Sequence, residues 1–361
     1  MKGQFMGEQS MDVGEKLSRE REREFISTTY IDLTRHGNRF GGPIKVTLNK
    51  LEGELVDVDD KQGLTPRGRK NSETFGEESY QDSVLVHPRG GDELRHGQSG
   101  EDILQGSGKF GDARDTAAPI FSRKRPLEAG ETKPVPKLKG ARMGQGVDYT
   151  SSGVMDVLKG AKKLINDTLQ TLVDGLSREE QEHFKTDPEY RAQLREQAQV
   201  VGLKSVLESP KPELQTAVKT LAENEALELM HTVELSRRGV KDEKLKAVPI
   251  VGSGLFTESL LKHALVVEDI ETGEKKIGFD SVDQVGGFTK QASAFRIKLT
   301  RDNSKGDARN LDDFEKDTVM ECEIIGDSER QRLFEGKKVY FDWGKVKELA
   351  QAAEVRLNKK N

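Results

Sequence analysis

The chain has 361 residues, of which 33% are apolar and 34% charged, with 58 basic against 63 acidic side chains and a net charge of −5. So balanced a charge, with a mean hydropathy of −0.71, excludes a global field that would gather nucleic acid or anionic lipid, and any anion site must be local. No apolar run approaches the roughly 20 residues of a membrane helix, the amino-terminal stretch carries no apolar h-region, and the single Cys322 cannot close an intramolecular disulfide, so the chain reads as cytoplasmic.

Residues 1–27 interleave charges (KLSREREREF) with almost nothing to bury and read as a charged, disordered leader. TTYIDLT at 28–34 is rich in β-branched residues and is predicted as a strand, running straight into Arg35-His36-Gly37. A Gly- and Asp-rich stretch follows, expected as a long loop with a short hairpin. LTPRGRKNSETFGEE then places Thr65 as an N-cap and Pro66 at the first helical position, which predicts a helix of about three turns. SVLVHP at 83–88 reads as a strand, and a helix is predicted from about Glu93. The Gly-, Lys- and Pro-rich region 106–153 shows no sustained period and reads as loop.

From 154 to about 240 the apolar positions fall at helical spacing: Val157, Leu158, Ala161, Leu164, Ile165, Leu169 and Leu172. Pro188 and the Pro210–Pro212 pair divide this stretch into separate helices. KAVPIVGSG is predicted as a strand ending in small residues and LFTESLLKHAL as a helix; strand-like pieces KKIGF, AFRIKLT, TVMECEII and KKVYF precede a last helix, GKVKELAQAAEVRL. The expected fold is α/β. A mainly parallel sheet sandwiched by helices spans 28–266, with a helical cap insert at about 154–240 and a C-terminal α+β extension at 267–361.

The ordered features are a strand ending in Arg35-His36-Gly37, Leu64-Thr65-Pro66-x-Gly68, a strand, then Arg95-His-Gly-Gln-Ser99-Gly100-Glu101, and late in the chain a strand ending at Gly252-Ser253-Gly254 before a helix. That order resembles the histidine phosphatase superfamily, the phosphoglycerate-mutase-like α/β fold, over roughly 29–105 and 246–266. The resemblance implies His36 as the nucleophile that accepts the phosphoryl group, with Arg35 beside it and Arg95 as a second phosphate clamp. The chemistry suits these residue types. A phosphomonoester carries close to two negative charges, guanidinium grips phosphate oxygens in pairs, and a neutral imidazole is nucleophilic near pH 7 and forms a phosphoryl adduct that water can hydrolyse.

Arg39 is a further loop cation within reach of phosphate, and Arg125 in SRKR is a rival for the second clamp. The family's second histidine, at the end of the late strand, is replaced here by Ser253. Losing such a donor costs on the order of 10²- to 10³-fold in rate by analogy with oxyanion-hole deletions. Ser253 and Gly254, just before a helix, retain free backbone N–H groups that suit phosphate, and Ser253 also suits an N-cap. Glu128 and Glu258 are candidates for the general acid, and His87 for a substitute histidine, whereas His231 and His263 read as ordinary helix residues. No motif marks a metal or cofactor site, and stacking aromatics for nucleic acid are lacking. Two functions stay open: hydrolysis of a phosphomonoester through phospho-His36, or binding of a phosphorylated small molecule or phosphoprotein without turnover.

Overall fold

The computed structural model describes residues 26–35, 44–58, 66–80, 82–83, 85–86, 88–90, 94–108, 121–124, 136–138, 152–238, 245–252, 254–290, 293–302 and 318–358. The amino-terminal half comprises strand β1 (Ile26–Arg35), a hairpin of β2 (Ile44–Leu48) and β3 (Glu54–Val58), helix α1 (Pro66–Tyr80), short strands β4 (Leu85–Val86) and β5 (Arg89–Gly90), and helix α2 (Leu94–Gly106). Within the stretch read as loop, β6 (Phe121–Lys124) and β7 (Pro136–Leu138) form an antiparallel pair.

Two of the three breaks in the helical region fall at prolines, and the third, at 176–177, follows Gly175 without one. Helices α3 (Ser152–Gly175), α4 (Arg178–Thr186), α5 (Pro188–Leu207) and α6 (Pro212–Arg238) follow one another, with Pro188 and Pro212 each at a first helical position, where the missing N–H costs nothing. Asp187 caps α5 by accepting from the Glu189 amide at 2.8 Å, and Ser177 with Glu180 forms a reciprocal capping box on α4. Next come β8 (Leu245–Gly252), α7 (Gly254–Ala264), β9 (Leu265–Asp269), β10 (Lys275–Ile277), a 3-10 turn at Val282–Val285, β11 (Ala294–Asp302), β12 (Thr318–Ile325), α8 (Ser328–Leu333), β13 (Lys337–Phe341) and α9 (Trp343–Asn358).

The main sheet has six strands in the order β12-β11-β1-β8-β4, with β5 also on β8. β1, β4 and β5 pair with β8 in parallel, whereas β1–β11 and β11–β12 are antiparallel, so the sheet is mixed rather than mainly parallel. The cause is the carboxy-terminal stretch, expected as a separate extension. Phe295, Ile297 and Leu299 of β11 join Ile31 and Leu33 of β1 in one core, which makes β11 an inner strand beside β1. A further strand, β9, follows directly on α7 and is not among the strand-like pieces read from the sequence. Its Leu265, Val266 and Val267 pair with β13, and β10 completes a three-stranded antiparallel sheet.

The helical insert also divides differently from the expected cap. Leu203 and Leu207 of α5 and Val218, Ala222, Ala226 and Leu229 of α6 belong to the main core under β1 and β8. Helices α3 and α4 and the start of α5 instead build a second core with the β2–β3 hairpin, joining Ile44, Val46 and Leu48 to Ile165, Leu169, Phe184 and Leu194. Polar contacts fix that hairpin to the helices. Gln170 accepts from the Thr47 amide at 2.9 Å and donates to the Thr47 carbonyl at 2.8 Å, completing the strand edge as a peptide group would. Arg195 donates to the Val58 carbonyl at 2.8 Å.

On the opposite face of the sheet, α1 and α2 pack over Ala247, Val251 and Ala294 through Phe75, Tyr80, Ile103 and Leu104. The two helices cross closely, with Ser72 opposite Ser99 and Gly76 opposite Ile103. They approach so closely that a Cβ on Gly76 would lie 2.2 Å from the Ile103 carbonyl oxygen, and one on Gly106 would lie 1.8 Å from that of Glu73.

Candidate functional site

The register of the sheet brings together the three strand ends that the sequence motifs mark. Arg35, the last residue of β1, is the Cα partner of Gly252, the last residue of β8. On the other side of β8, Gly90 of β5 is the partner of Val251. Each of these ends leads toward a motif: β1 into His36-Gly37, β8 through Ser253 into α7 at Gly254, and β5 into α2, whose second residue is Arg95. Carboxyl ends of adjacent parallel strands, followed by helix amino termini, are where open α/β sheets place ligands. Backbone topology therefore puts Arg35, Gly254 and Arg95 at the same edge of the sheet. His36, Arg39, Ser253 and Glu128, like Arg125 and His87, lie outside the described residues.

Leu255, in the first turn of α7, packs against Ala161, Val206 and Leu214 of α3, α5 and α6. The helices expected as a cap thus converge on the amino end of α7, directly after Ser253-Gly254.

Beneath the edge, β1 is held by a buried polar network. Asp32 is fully buried and accepts from Arg296 of β11 in a fork, Nε to Oδ1 at 2.9 Å and Nη2 to Oδ2 at 2.8 Å, while the Tyr80 hydroxyl donates to Oδ2. The Arg296 guanidinium lies 4.1 Å from the Tyr30 ring centroid, which adds a cation–π contact. Burial pushes the Tyr80 phenol well above its ordinary range, and the adjacent Asp32 charge acts in the same direction. Thr34, one residue before Arg35, donates to the Ser293 carbonyl at 3.0 Å. These bonds fix the last turns of β1 against β11 and α1, and so fix where the chain leaves the sheet toward His36.

Along α2, the residues following Arg95 in its motif pack the helix onto α1. Ser99 is buried and its hydroxyl lies 3.3 Å from that of Ser72, and Glu101 lies 3.6 Å from Arg69. Arg69 donates to Asp102 at 2.7 Å through Nη2; burial still pushes that carboxyl up to about 6, against the pull of the arginine.

Glu258, a candidate acid on sequence grounds, has a different task in the structure. It is fully buried, and its Oε1 accepts from both the amide (2.6 Å) and the hydroxyl (2.7 Å) of Thr289, with Arg330 at 3.8 Å. A carboxylate bonded in this way fastens the segment before β11 to α7. The Glu258 side chain is 0% exposed among the described residues. His263 lies in α7, as the sequence predicts, and its imidazole is pushed down to about 4, chiefly by burial and then by Lys262 and Lys219.

The Asp32–Arg296 pair was missed in the sequence, although a signal existed: a carboxylate inside the apolar run TTYIDLT and an arginine inside AFRIKLT are each anomalous in a buried strand. Among the described residues, no group of three or more His, Cys, Asp or Glu is placed to hold a metal ion, and no helix is long and apolar enough to cross a membrane. No protein-family model matches the chain, and no curated protein sequence matches it.

Proposed function

We propose that the edge formed by the ends of β1, β8 and β5 binds the phosphoryl group of a phosphomonoester and that His36 accepts it. The observation that supports this reading is the pairing of Arg35, the residue before His36 in the sequence, with Gly252 at the end of β8. The chemistry would run in two displacements. The neutral imidazole of His36 attacks phosphorus, the P–O bond to the leaving group breaks, and the leaving oxygen takes up a proton. Water then attacks phospho-His36, releasing phosphate and restoring the imidazole. Arg35 and Arg95 neutralise the non-bridging oxygens, and the first-turn amides of α7 contribute the positive end of the helix.

A second reading, phosphate binding without turnover, is favoured by one specific feature: Ser253 stands where a second histidine would donate to the phosphoryl group. Phosphorylated small molecules and phosphoproteins are the ligand classes under both readings. Assay of purified protein with para-nitrophenyl phosphate and a panel of phosphorylated metabolites, beside His36→Ala, separates them. Turnover abolished in the variant supports hydrolysis. Equal inertness of both proteins, with phosphate raising the melting temperature, supports binding alone.

A further inference from the structure

The core between α6 and α7 contains a carboxyl group that the candidate site does not use. Glu225 lies on the stripe of α6 that also carries Val218, Ala222 and Leu229 into the main core; among the described residues it is 0% exposed and neither of its oxygens has a hydrogen-bond partner. An ionised carboxylate in such a place would be costly unless paired, whereas a neutral one is tolerable. Among the described residues, no cation acts on it. The charges that act on Glu225 are Glu228, one turn along the same helix, and Glu258 of α7, both of them acidic. Cations on α7, α8 and α9 are engaged with other groups: Arg330 faces Glu258 at 3.8 Å, Lys262 of α7 donates to the Leu207 carbonyl at 2.6 Å, and Arg356 of α9 pairs with Glu223 at 3.3 Å and Asn224 at 2.7 Å. His263, also on α7, is neutral.

We infer that Glu225 is a buried proton-binding site that makes the α6–α7 contact pH-dependent, closed while the carboxyl is neutral and loosened when it ionises. Burial first, then Glu228 and Glu258, push this carboxyl from its usual 4.5 up to about 8. The folded state therefore holds the proton more tightly than the unfolded chain. Stability from this group is complete below pH 4.5 and is lost as pH rises from there through 8, after which both states are ionised. The shift corresponds to a change on the order of a thousand-fold in the unfolding equilibrium across that window. Because α7 begins at the candidate site, loosening of this contact acts on the helix whose amino end faces it. The inference itself does not depend on what binds there.

The test uses the full chain and Glu225→Gln, which keeps the shape and polarity of the neutral acid but cannot ionise. Thermal melts from pH 5 to 9 should show wild type losing stability relative to the variant as pH rises toward 8, and a constant difference above it. Parallel curves would overturn the inference. Hydrogen exchange at pH 9, corrected for intrinsic rates, should show faster exchange in wild type than in the variant within 212–238 and 254–264. Equal exchange in those helices would refute the loosening of α6 from α7.

Discussion

Replacing Asp32 with Asn removes the charge that Arg296 answers from the neighbouring strand, and the structure sets the size of the effect. The Arg296 side chain is 8% exposed and that of Asp32 0%, so the arginine left behind has little water to turn to. Breaking a buried pair by removing one partner costs about 3–5 kcal/mol. Glu323 offers partial relief 3.6 Å from Nη1, but it is 52% exposed, and an exposed carboxylate returns no more than about 1 kcal/mol. The expected loss for Asp32→Asn is therefore about 2–4 kcal/mol, a large share of the 5–15 kcal/mol typical of a folded domain. Equilibrium urea unfolding at pH 7 measures it. The double variant Asp32→Leu/Arg296→Met, which replaces the pair by apolar groups, should recover much of the loss because neither buried charge remains. A single variant within about 0.5 kcal/mol of wild type, or a double variant worse than the sum of its singles, would refute the claim that this pair anchors β1.

Three further outcomes follow from the α1–α2 pair and the helical insert. Burial holds the Asp102 carboxyl at about 6 against its usual 3.8, so folding takes up a proton there and stability falls as pH rises from 3.8 through 6; Asp102→Asn should flatten that segment of the melting curve, and an unchanged slope would contradict it. Gly106→Ala, with its Cβ 1.8 Å from the Glu73 carbonyl oxygen, should lose about 1–3 kcal/mol in urea unfolding. Gly160→Ala, in α3 with nothing within 4 Å, should gain about 0.5–1 kcal/mol in the same assay, and equal effects at the two positions would contradict the packing described.

What could be read from the sequence was what local chemistry decides. The β-branched run ending at Arg35 and the breaks at Pro188 and Pro212 depend on neighbours a few residues away, and each stands in the structure near where the sequence put it. Membership of a core was harder. The apolar stripe of α6 shows that the helix is buried but not that its partner is β1, and the alternation of IKVTL does not reveal that helices α3 and α4 cover it. LLKHALVVED is apolar enough to continue a helix, and only pairing with β13 turns its second half into a strand. Asp32 and Arg296 are 264 positions apart, and Glu225 meets Glu258 only across two helices; no spacing rule links such residues. For the candidate site, the motif order placed Arg35, Gly254 and Arg95 on elements that the sheet does bring to one edge. The task of Glu258 depended on Thr289, which no motif marked.

Phosphate capture at that edge is the central proposal, whether or not turnover follows. Melting temperatures of wild type, Arg35→Ala and Arg95→Ala, measured against rising concentrations of inorganic phosphate and vanadate, test it. Stabilisation by a ligand grows as RT ln(1 + [L]/Kd), so wild type should rise with concentration while both variants stay nearly flat. A wild type that neither anion stabilises, or variants that respond as strongly as wild type, would contradict the site.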